Sequence, residues 1–464
     1  MTPQTTPFAS ELALPDGSVH RPGEPEYEDA CGLFNAMIVR RPRLVARCTS
    51  AADVQAALAF ARANGLDFTV RAGGHSVSGL ALCDDGVVAD VRGIDFIEVD
   101  PERQIARVGG GVIWADLDRA TAAHGLATTG GRVSSTGVAG LTLGGGSGWL
   151  ERKHGLTTDN LIAAELVTAD GRVVRASADE NAELFWALRG GGGNFGVVVA
   201  FEFALHRLER EVLAGLVIHP GDRTAELLAL WRDVMRDAPE GLSLAFISLT
   251  APAEPEIPEH LHGTTVAAIA GMYAGPVEEG EQALRSVREF GDGVDLFEPM
   301  AYEDFQCSLD DPPGYRNWWT AEYLREMPDA TVERIAARCE AKPTGPAQLF
   351  CVAWGGAVSR GSSEQGPLRG RDARYIVHPL VLWEDASDDQ EMIAWGRGFR
   401  EDVAGLGAEG TYLNFVGADE GQARVVASYG RQSYERLRRI KAQWDPQDVF
   451  RGSGHVPPAR GAGG

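Results

Sequence analysis

Three glycine-rich segments, each beside a short apolar run, constrain this chain more than any other feature of its sequence. They read RAGGHSVSG at residues 71–79, GGRVSSTGVAGLTLGGGSG at 130–148 and RGGGGNFG at 189–196. Glycine pairs let a backbone approach a flat or anionic group closely, and consecutive backbone N–H groups can hold a phosphate. One such segment is typical of an ordinary turn. Three in one region predict a phosphate or cofactor held by the backbone.

The glycine segments do not match the common nucleotide-binding motifs. None ends in the Lys-Ser or Lys-Thr pair of a P-loop. None is a clean G-x-G-x-x-G between a strand and a helix. The pattern therefore argues against an ATPase or an ordinary Rossmann domain.

Charge excludes some partners. The 464 residues carry 43 Lys and Arg against 66 Asp and Glu, a formal net charge of −23. Such a surface repels nucleic acids and anionic membranes, so we expect neither as a partner. Lysine occurs only at positions 153, 342 and 441. An anionic ligand would therefore be held mainly by backbone N–H groups or by arginine.

The cysteines and the N-terminal segment favour a reducing compartment. No cysteine pair has C-x-x-C spacing, so we expect no disulfide framework and no metal site. The cysteines stand at positions 31, 48, 83, 307, 339 and 351. The first residues lack a charged and an apolar signal region, and no apolar run is long enough to span a membrane, so we expect a cytoplasmic protein. The sequence leaves open whether it is a monomer or a homodimer.

Apolar periodicity predicts an α+β chain with more than one core. A β-α-β pattern begins it, and residues 161–177 predict a hairpin around Asp170 and Gly171. Glycine becomes sparser over residues 207–411, where a strand–strand–helix order predicts an antiparallel sheet backed by helices. We therefore divide the chain into 1–206, with its core at about 40–206, then 207–411 and 412–464.

Several motifs together resemble one enzyme family. R-x-G-G-H-S-x-x-G stands at 71–79, GVAGLTLGGGSGWLERKHGLTTDNL at 137–161, AELFWALRGGGGNFGVV at 182–198, and TYLNF at 411–415. Over residues 25–458 the chain is similar to the berberine-bridge-enzyme-like branch of the vanillyl-alcohol-oxidase / p-cresol-methylhydroxylase superfamily of FAD-linked oxidases. The resemblance implies a two-subdomain FAD-binding domain of the p-cresol-methylhydroxylase type over 1–206. It also implies a substrate-binding domain over 207–411 and a segment, 412–464, that completes the FAD domain.

The resemblance answers why His75 follows two glycines. In the family this histidine carries a covalent bond to the 8α carbon of the flavin, and a neutral imidazole is a suitable nucleophile. The alternative is a turn histidine bonded to a backbone carbonyl. Many relatives add a second link from a cysteine, but Val133 occupies that position here. The resemblance therefore implies FAD tethered once, through His75, with no cysteinyl link.

Further FAD contacts are implied by motif match. Gly145, Gly146 and Gly148 would approach the pyrophosphate and ribose, and Asn160 and Val167 the adenine. Thr136 would lie near the flavin C4a–N5 edge, or would only cap its own loop. The remaining implied contacts are Arg71, Ala72, Gly73, Gly74, Ser76, Gly79, Gly137, Gly140, Leu141, Trp149, Asn414 and His455.

The family places its proton-accepting group at two positions. One corresponds to Tyr412, which could equally be an ordinary strand aromatic. The other lies five residues before Trp383, where relatives carry Gln, Glu or Asn and this chain has His378, with Tyr375 nearby. A histidine titrates near neutrality and suits a base, although a core histidine is the alternative. Trp318, Trp319 and Tyr323 would form an aromatic substrate wall or part of the core.

The resemblance implies an oxidase. It would move a hydride from an alcohol, an amine or a phenolic, polyketide-type substrate to 8α-histidyl FAD, and then reduce O2 to H2O2. One alternative is an inactive flavin-binding homologue that acts as a binding protein. Another is a dehydrogenase or oxidative cyclase that uses a different electron acceptor.

Overall fold

The first glycine segment follows the second strand of a βαβ unit that lies near the start of the described chain. The computed structural model describes residues 11–460 apart from 312, 344, 407–409, 418 and 453. The first elements are β1 (Ser18–His20), α1 (Pro25–Cys31), β2 (Leu44–Arg47), α2 (Ala51–Ala63), β3 (Phe68–Arg71) and β4 (Val87–Asp90). They form a sheet in the order β1-β2-β4-β3, in which β4 pairs in parallel with both β2 and β3. A capping box between Ser50 and Asp53 starts α2.

A second, antiparallel sheet follows. Its region contains β5 (Ile97–Asp100), β6 (Ile105–Gly109), α3 (Trp114–Ala122), β7 (Leu126–Ala127), α4 (Val138–Leu143), α5 (Glu151–His154), β8 (Leu161–Val167), β9 (Val173–Ser177), α6 (Ala182–Leu188), β10 (Val197–Ala204) and β11 (His206–Arg207). The sheet order is β5-β6-β10-β8-β9, and β7 pairs with β11. The predicted hairpin is confirmed, because β8 and β9 pair across a turn in which Gly171 has φ +85°.

The predicted antiparallel sheet backed by helices is confirmed in the next region. Its elements are β12 (Val212–Pro220), α7 (Thr224–Arg236), β13 (Leu242–Thr250), β14 (Thr265–Tyr273), α8 (Val277–Arg288), β15 (Val294–Asp295), β16 (Glu298–Met300), α9 (Tyr302–Ser308), β17 (Arg316–Trp319), β18 (Glu322–Leu324), α10 (Asp329–Glu340), β19 (Gln348–Ala353), α11 (Ala357–Arg360), β20 (Tyr375–Trp383) and α12 (Asp389–Ala404). The main path of this large sheet runs β15-β12-β14-β13-β19-β20-β17. Leu227, Leu228 and Trp231 of α7 pack into a core against its strands.

The last helix returns to the glycine-rich region. It is α13 (Gln422–Trp444), and the buried ammonium of Lys441 donates to the carbonyl oxygens of Asn194 and Phe450 and to the Asp445 carboxylate. Tyr429 and Leu437 join the core that contains Phe195. The third glycine segment is thereby tied to the C-terminal part of the chain.

None of the described helices combines the length and apolar character needed to cross a membrane.

Candidate active site

A cavity of about 810 Å³ lies between the glycine segments and the large sheet. Its glycine-rich side includes Gly73, Gly74, Gly131, Gly137, Gly140, Gly144, Gly192, Gly193 and Gly196. Its large-sheet side includes Ile247, Thr250, Gln348, Phe350, Val352, Ile376, His378, Leu380 and Leu382. The cavity therefore joins the two regions that the sequence analysis assigned to cofactor and substrate.

The first two glycine segments cross backbone to backbone. A Cβ at Gly73 would lie 2.2 Å from the backbone nitrogen of Gly137, and one at Gly137 would lie 2.5 Å from that of Gly73. Such distances leave no room for a side chain at the crossing. At Gly140, by contrast, a Cβ would meet no atom within 4 Å, and this residue lines the cavity. A cavity of this volume whose glycine-rich side exposes backbone fits the flat ring and the pyrophosphate of FAD.

His75 lines this cavity in the turn that follows β3, four residues after its last residue. Its Nε2 lies 3.0 Å from the Ser135 hydroxyl, and Phe34 stacks on the ring with a centroid distance of 4.3 Å. Burial lowers the pKa of His75 to about 4. The imidazole is therefore neutral at physiological pH, which is the form that acts as a nucleophile.

Tyr412 and Asn414 lie together at the cavity wall. The Asn414 side-chain amide donates to the Tyr412 hydroxyl across 3.0 Å. Burial raises the pKa of Tyr412 well above its usual range, although the backbone N–H groups of Gly146 and Ser147 and the Asn414 amide act in the opposite direction. The phenol therefore keeps its proton at neutral pH. It suits a hydrogen-bond donor at the site better than a base.

His378 faces the same cavity from the middle of β20. Its Nδ1 lies 2.6 Å from the backbone carbonyl oxygen of Thr320, and its ring stacks on Phe415 at 4.0 Å and meets Trp319 edge-on at 5.7 Å. A carbonyl oxygen only accepts, so Nδ1 carries the hydrogen and Nε2 keeps its lone pair. Burial lowers the pKa of His378 to about 4. The neutral ring presents the one unprotonated nitrogen that a proton acceptor needs.

Most of the predicted site residues meet at the cavity. Its lining contains Ala72, Gly73, Gly74, His75, Ser76, Val133, Thr136, Gly137, Gly140, Leu141, Trp149, His378, Tyr412 and Asn414. Nine others lie off the lining, namely Arg71, Gly79, Gly145, Gly146, Gly148, Asn160, Val167, Tyr375 and His455. The structure places these nine away from the cavity surface, and their roles in binding FAD or substrate stay predictions.

Three of the nine support the lining. The Arg71 guanidinium donates to the carbonyl oxygens of Gly32 and Ala72, which holds the first glycine turn from behind. Gly146 places its N–H near the Tyr412 hydroxyl. At Gly148 a Cβ would lie 1.6 Å from the carbonyl oxygen of Gly130, so this glycine allows the two ends of the second segment to meet.

Asn160 and Val167, the expected adenine contacts, are not among the described residues that line the cavity. The Asn160 amide donates to the carbonyl oxygens of His154 and Leu156, and its oxygen lies 2.6 Å from Nε2 of His206. The amide hydrogens are thus bonded within the local turn, and the side-chain oxygen is bonded by His206. Val167 is fully buried where β8 pairs with β10. Val197 and Val198, which follow the third glycine segment, line the cavity instead.

His455 and Gly79 also face other partners. The Nε2 atom of His455 lies 2.9 Å from the Asp448 carboxylate. A Cβ at Gly79 would lie 2.8 Å from the side chain of Ile38, so this glycine is needed for packing. Gly145 has φ +121° and turns the chain before Gly146. None of these three is among the described lining residues.

Strand geometry places Tyr375 and two residues of the aromatic set away from the cavity. Tyr375 packs against Trp231 on the face of the large sheet that carries the helices, with a centroid distance of 5.5 Å. Tyr375 and His378 are three residues apart on β20, and successive side chains of a strand alternate between faces, so the two side chains lie on opposite faces of the sheet. Trp319 lines the cavity, whereas Trp318 lies against Gly396 of α12. Tyr323 packs on Trp354 behind the cavity.

Three carboxylates from the large-sheet region also line the cavity and were not predicted from the sequence. Glu254, Asp310 and Asp311 all line it. The Gln348 amide donates to Asp311 across 3.1 Å, and burial raises the pKa of Asp311 to about 6. An acidic pair after α9 was visible in the sequence, but nothing local connected it with the cavity.

Within the described ranges, no group of three or more His, Cys, Asp or Glu side chains is placed to hold a metal ion.

Comparisons with known proteins agree with this geometry. A family model described as "FAD binding domain" matches residues 42–177, and one described as "Berberine and berberine like" matches 411–457. The chain is 32% identical to (R)-6-hydroxynicotine oxidase of Paenarthrobacter nicotinovorans, over 97% of this chain and 99% of that protein. It is 30% identical to an FAD-linked oxidoreductase of Dictyostelium discoideum, over 96% and 95% of the two chains.

Solved structures show the same fold. The crystal structure of 6-hydroxy-D-nicotine oxidase from Arthrobacter nicotinovorans superposes with a TM-score of 0.88 at 29% identity, covering 98% of this chain and 100% of that one. A xylooligosaccharide oxidase from Myceliophthora thermophila shares the fold with a TM-score of 0.83 at 23% identity, over 96% and 98% of the two chains. The expected α+β fold and FAD-binding region are thereby confirmed. The chain belongs to the berberine-bridge-enzyme-like family of FAD-linked oxidoreductases.

Proposed function

We propose that this FAD-linked oxidoreductase is an oxidase of a small organic amine that passes its electrons to O2 and forms H2O2. The observation that carries this proposal is the buried imidazole of His378, which lines one cavity with His75 and Tyr412 and whose Nδ1 lies on the carbonyl oxygen of Thr320. The bound FAD would supply the hydride acceptor. His378 would accept the substrate proton at Nε2, while its Nδ1–H stays on the carbonyl oxygen of Thr320.

The charge of the cavity favours an amine over the other two substrate classes. Glu254, Asp310 and Asp311 of the large-sheet region line the cavity. Asp310 accepts two hydrogen bonds from Ser134, and Asp311 accepts one from the Gln348 amide. The lining arginines are already paired, Arg132 with Glu151 at 2.7 Å and Arg451 with Asp448 at 3.4 Å. No lysine is found in the described lining. An ammonium group entering the cavity would meet carboxylates and aromatic faces, both of which attract cations.

We further propose that His75 is the single covalent anchor of the flavin. Its neutral ring lies in the cavity beside the glycine crossing, as a nucleophile must. Val133 lines the same cavity, and its side chain cannot form a thioether. Tyr412 would hold the substrate or the flavin edge as a donor. Asn414 and Leu141 fix its position, since the Asn414 amide also donates to the carbonyl oxygen of Leu141 across 3.0 Å.

The anchor is tested on denatured protein. Acid-precipitated wild-type protein should stay yellow, and His75→Ala should release its flavin completely into the supernatant. Colourless precipitate from the wild type, or colour retained by His75→Ala, would contradict the assignment.

The oxidase activity is tested by H2O2 formation across matched amines, alcohols, sugars and phenols at air saturation. We expect turnover with amines and stoichiometric H2O2. Substrate-dependent bleaching without reoxidation in air would favour a dehydrogenase with another acceptor. Full flavin content with no bleaching by any class would favour the inactive binding homologue.

A further inference from the structure

A segment of the large-sheet region reaches across the molecule and holds the loop beside His75. Asp310, two residues after α9, accepts the backbone N–H of Ser134 at 2.6 Å and the Ser134 hydroxyl at 2.5 Å. The two residues are 176 positions apart in the chain. Ser134 is buried, so the carboxylate satisfies two donors that would otherwise lose hydrogen bonds.

The same loop is held at two further points. Gln306 on α9 donates to the carbonyl oxygen of Gly131 across 2.9 Å. On the opposite side, the backbone N–H of Ala115 at the start of α3 donates to the carbonyl oxygen of Ser134 across 2.9 Å. Both peptide groups of Ser134 are therefore fixed, one by Asp310 and one by α3. The backbone of Ser135, the next residue, has little freedom left.

Ser135 connects this clamp to His75. Its hydroxyl lies 3.0 Å from Nε2 of His75, and no hydrogen bond to Nδ1 is present among the described residues. A neutral imidazole carries one hydrogen. When Nε2–H donates to the Ser135 oxygen, Nδ1 is the nitrogen with the free lone pair. A shift of Ser135 would remove that acceptor, and the ring could then turn or change its tautomer.

We propose that Asp310 is a positioning residue for the covalent attachment of the flavin. It fixes Ser134 and Ser135 so that His75 presents a lone pair to the 8α carbon. In the overall reaction one N–C bond forms, the imidazole and the 8α carbon each lose one hydrogen, and O2 takes up both hydrogens as H2O2. Because this role assumes that His75 is the anchor, it rests on the proposed function.

The experiment measures attachment apart from binding. Protein produced in riboflavin-depleted cells is mixed with excess FAD in air, and covalent flavin is read as fluorescence on a denaturing gel over time. Non-covalent FAD affinity is measured separately by quenching at early times. We expect Asp310→Ala to slow attachment at least tenfold while the affinity for FAD changes less than threefold.

The matched control is Asp311→Ala. It removes the same charge from the adjacent position, but Asp311 contacts Gln348 and makes no described bond to the Ser134 loop. It should attach flavin at the wild-type rate. Ser134→Ala keeps the backbone bond to Asp310 and loses the hydroxyl bond, so an intermediate rate is expected.

The outcomes separate the two proposals. If His75→Ala becomes covalently labelled, the anchor assignment itself fails. If His75→Ala stays unlabelled while Asp310→Ala attaches flavin at the wild-type rate, the positioning role is overturned. It is also overturned if Asp311→Ala is slowed as much as Asp310→Ala, since charge alone would then explain the effect. If Asp310→Ala does not fold, a wild-type rate in Ser134→Ala overturns the role and a slowed rate at unchanged FAD affinity supports it.

Discussion

The Nδ1 atom of His378 lies 2.6 Å from the backbone carbonyl oxygen of Thr320, and this contact decides which nitrogen of the ring is available for chemistry. Because the carbonyl cannot donate, Nδ1 holds the hydrogen and Nε2 the lone pair. Phe415 stacks parallel to the ring at 4.0 Å and limits its rotation. A histidine that would otherwise be an ordinary core residue is thereby held as an acceptor at the cavity.

We predict that His378→Gln slows substrate oxidation by about 10²-fold, a typical contribution of a positioned base. Glutamine retains polarity and approximate size but cannot take up a proton at neutral pH. The measurement is the anaerobic bleaching rate of the flavin in a stopped-flow instrument. Since the pKa of His378 is lowered to about 4, the wild-type rate should not change through titration of His378 between pH 6 and 8 and should fall as the pH approaches 4.

The control for this variant lies on the other face of the same strand. Tyr375→Phe removes a hydroxyl from the helix-backed core and leaves the cavity lining intact. Its bleaching rate should remain within twofold of wild type. Equal losses in both variants would mean that strand packing, and not proton transfer, accounts for the effect.

We predict that Asp311→Asn raises KM for a cationic amine about tenfold and changes kcat little. The substitution keeps the shape and the contact with Gln348 but removes the charge that faces the cavity. A tenfold change corresponds to about 1.4 kcal/mol, within the range of a partly desolvated ion pair. Steady-state H2O2 formation at varied amine concentration provides the measurement.

The pH dependence and a neutral substrate supply the controls for Asp311. Because burial raises the pKa of Asp311 to about 6, the carboxylate is ionised above pH 6 and becomes protonated as the pH falls through 6. Wild-type affinity for the amine should weaken over that window, and Asp311→Asn should lose this dependence. An unchanged KM for the amine, or an equal rise for an uncharged analogue of the same size, would contradict the role.

The sequence was sufficient for features that are local or strongly patterned. Glycine pairs marked the cavity floor, and the Asp170-Gly171 turn marked a hairpin, because backbone conformation there depends on a few adjacent residues. Alternating polarity could not assign the two faces of β20, because all nine of its residues are buried and both faces are largely apolar. Tyr375 and His378 could not be assigned to faces on polarity alone, so only the packing against Trp231 revealed the side of the sheet.

Long-range contacts account for the rest. Asp310 binds the backbone N–H of Ser134, and Gln306 donates to the carbonyl oxygen of Gly131, through pairings that depend on how the large-sheet region packs against the glycine loops. Asn160 was expected at the adenine because of its motif, but its three hydrogen bonds are satisfied within its own turn and by His206. A sequence motif can indicate that a residue belongs to a functional region, but it does not show which atoms that residue contacts.

We predict that Gly140→Ala weakens FAD binding without destabilising the flavin-free protein. A methyl group there meets no protein atom within 4 Å and would project from α4 at the cavity floor. Alanine favours helix over glycine by up to about 1 kcal/mol, so the Tm of the apoprotein should stay the same or rise. FAD affinity, measured by fluorescence quenching, should fall about tenfold. Wild-type affinity would show that the cofactor does not lie against this glycine.

The stacked rings of His154 and His206 predict an acid-sensitive contact outside the cavity. The centroids are 3.9 Å apart with an interplanar angle of 6°. Burial, and then the neighbouring His206 and Lys153, lower the pKa of His154 to about 3. Between pH 6.5 and 3 the His154 side chain is therefore protonated in the unfolded chain and neutral in the folded chain. Its contribution to the free energy of unfolding is full above pH 6.5 and is lost as the pH falls toward 3.

His154→Gln should consequently make Tm depend less steeply on pH between 6.5 and 4, because one of the groups that titrates only in the unfolded state is gone. His75 and His378 also have lowered pKa values, so part of the slope should remain. Differential scanning calorimetry at matched ionic strength provides the measurement, with His260→Gln, an exposed position, as the control. A slope in His154→Gln as steep as that of the control would show that the stacked pair does not hold His154 neutral.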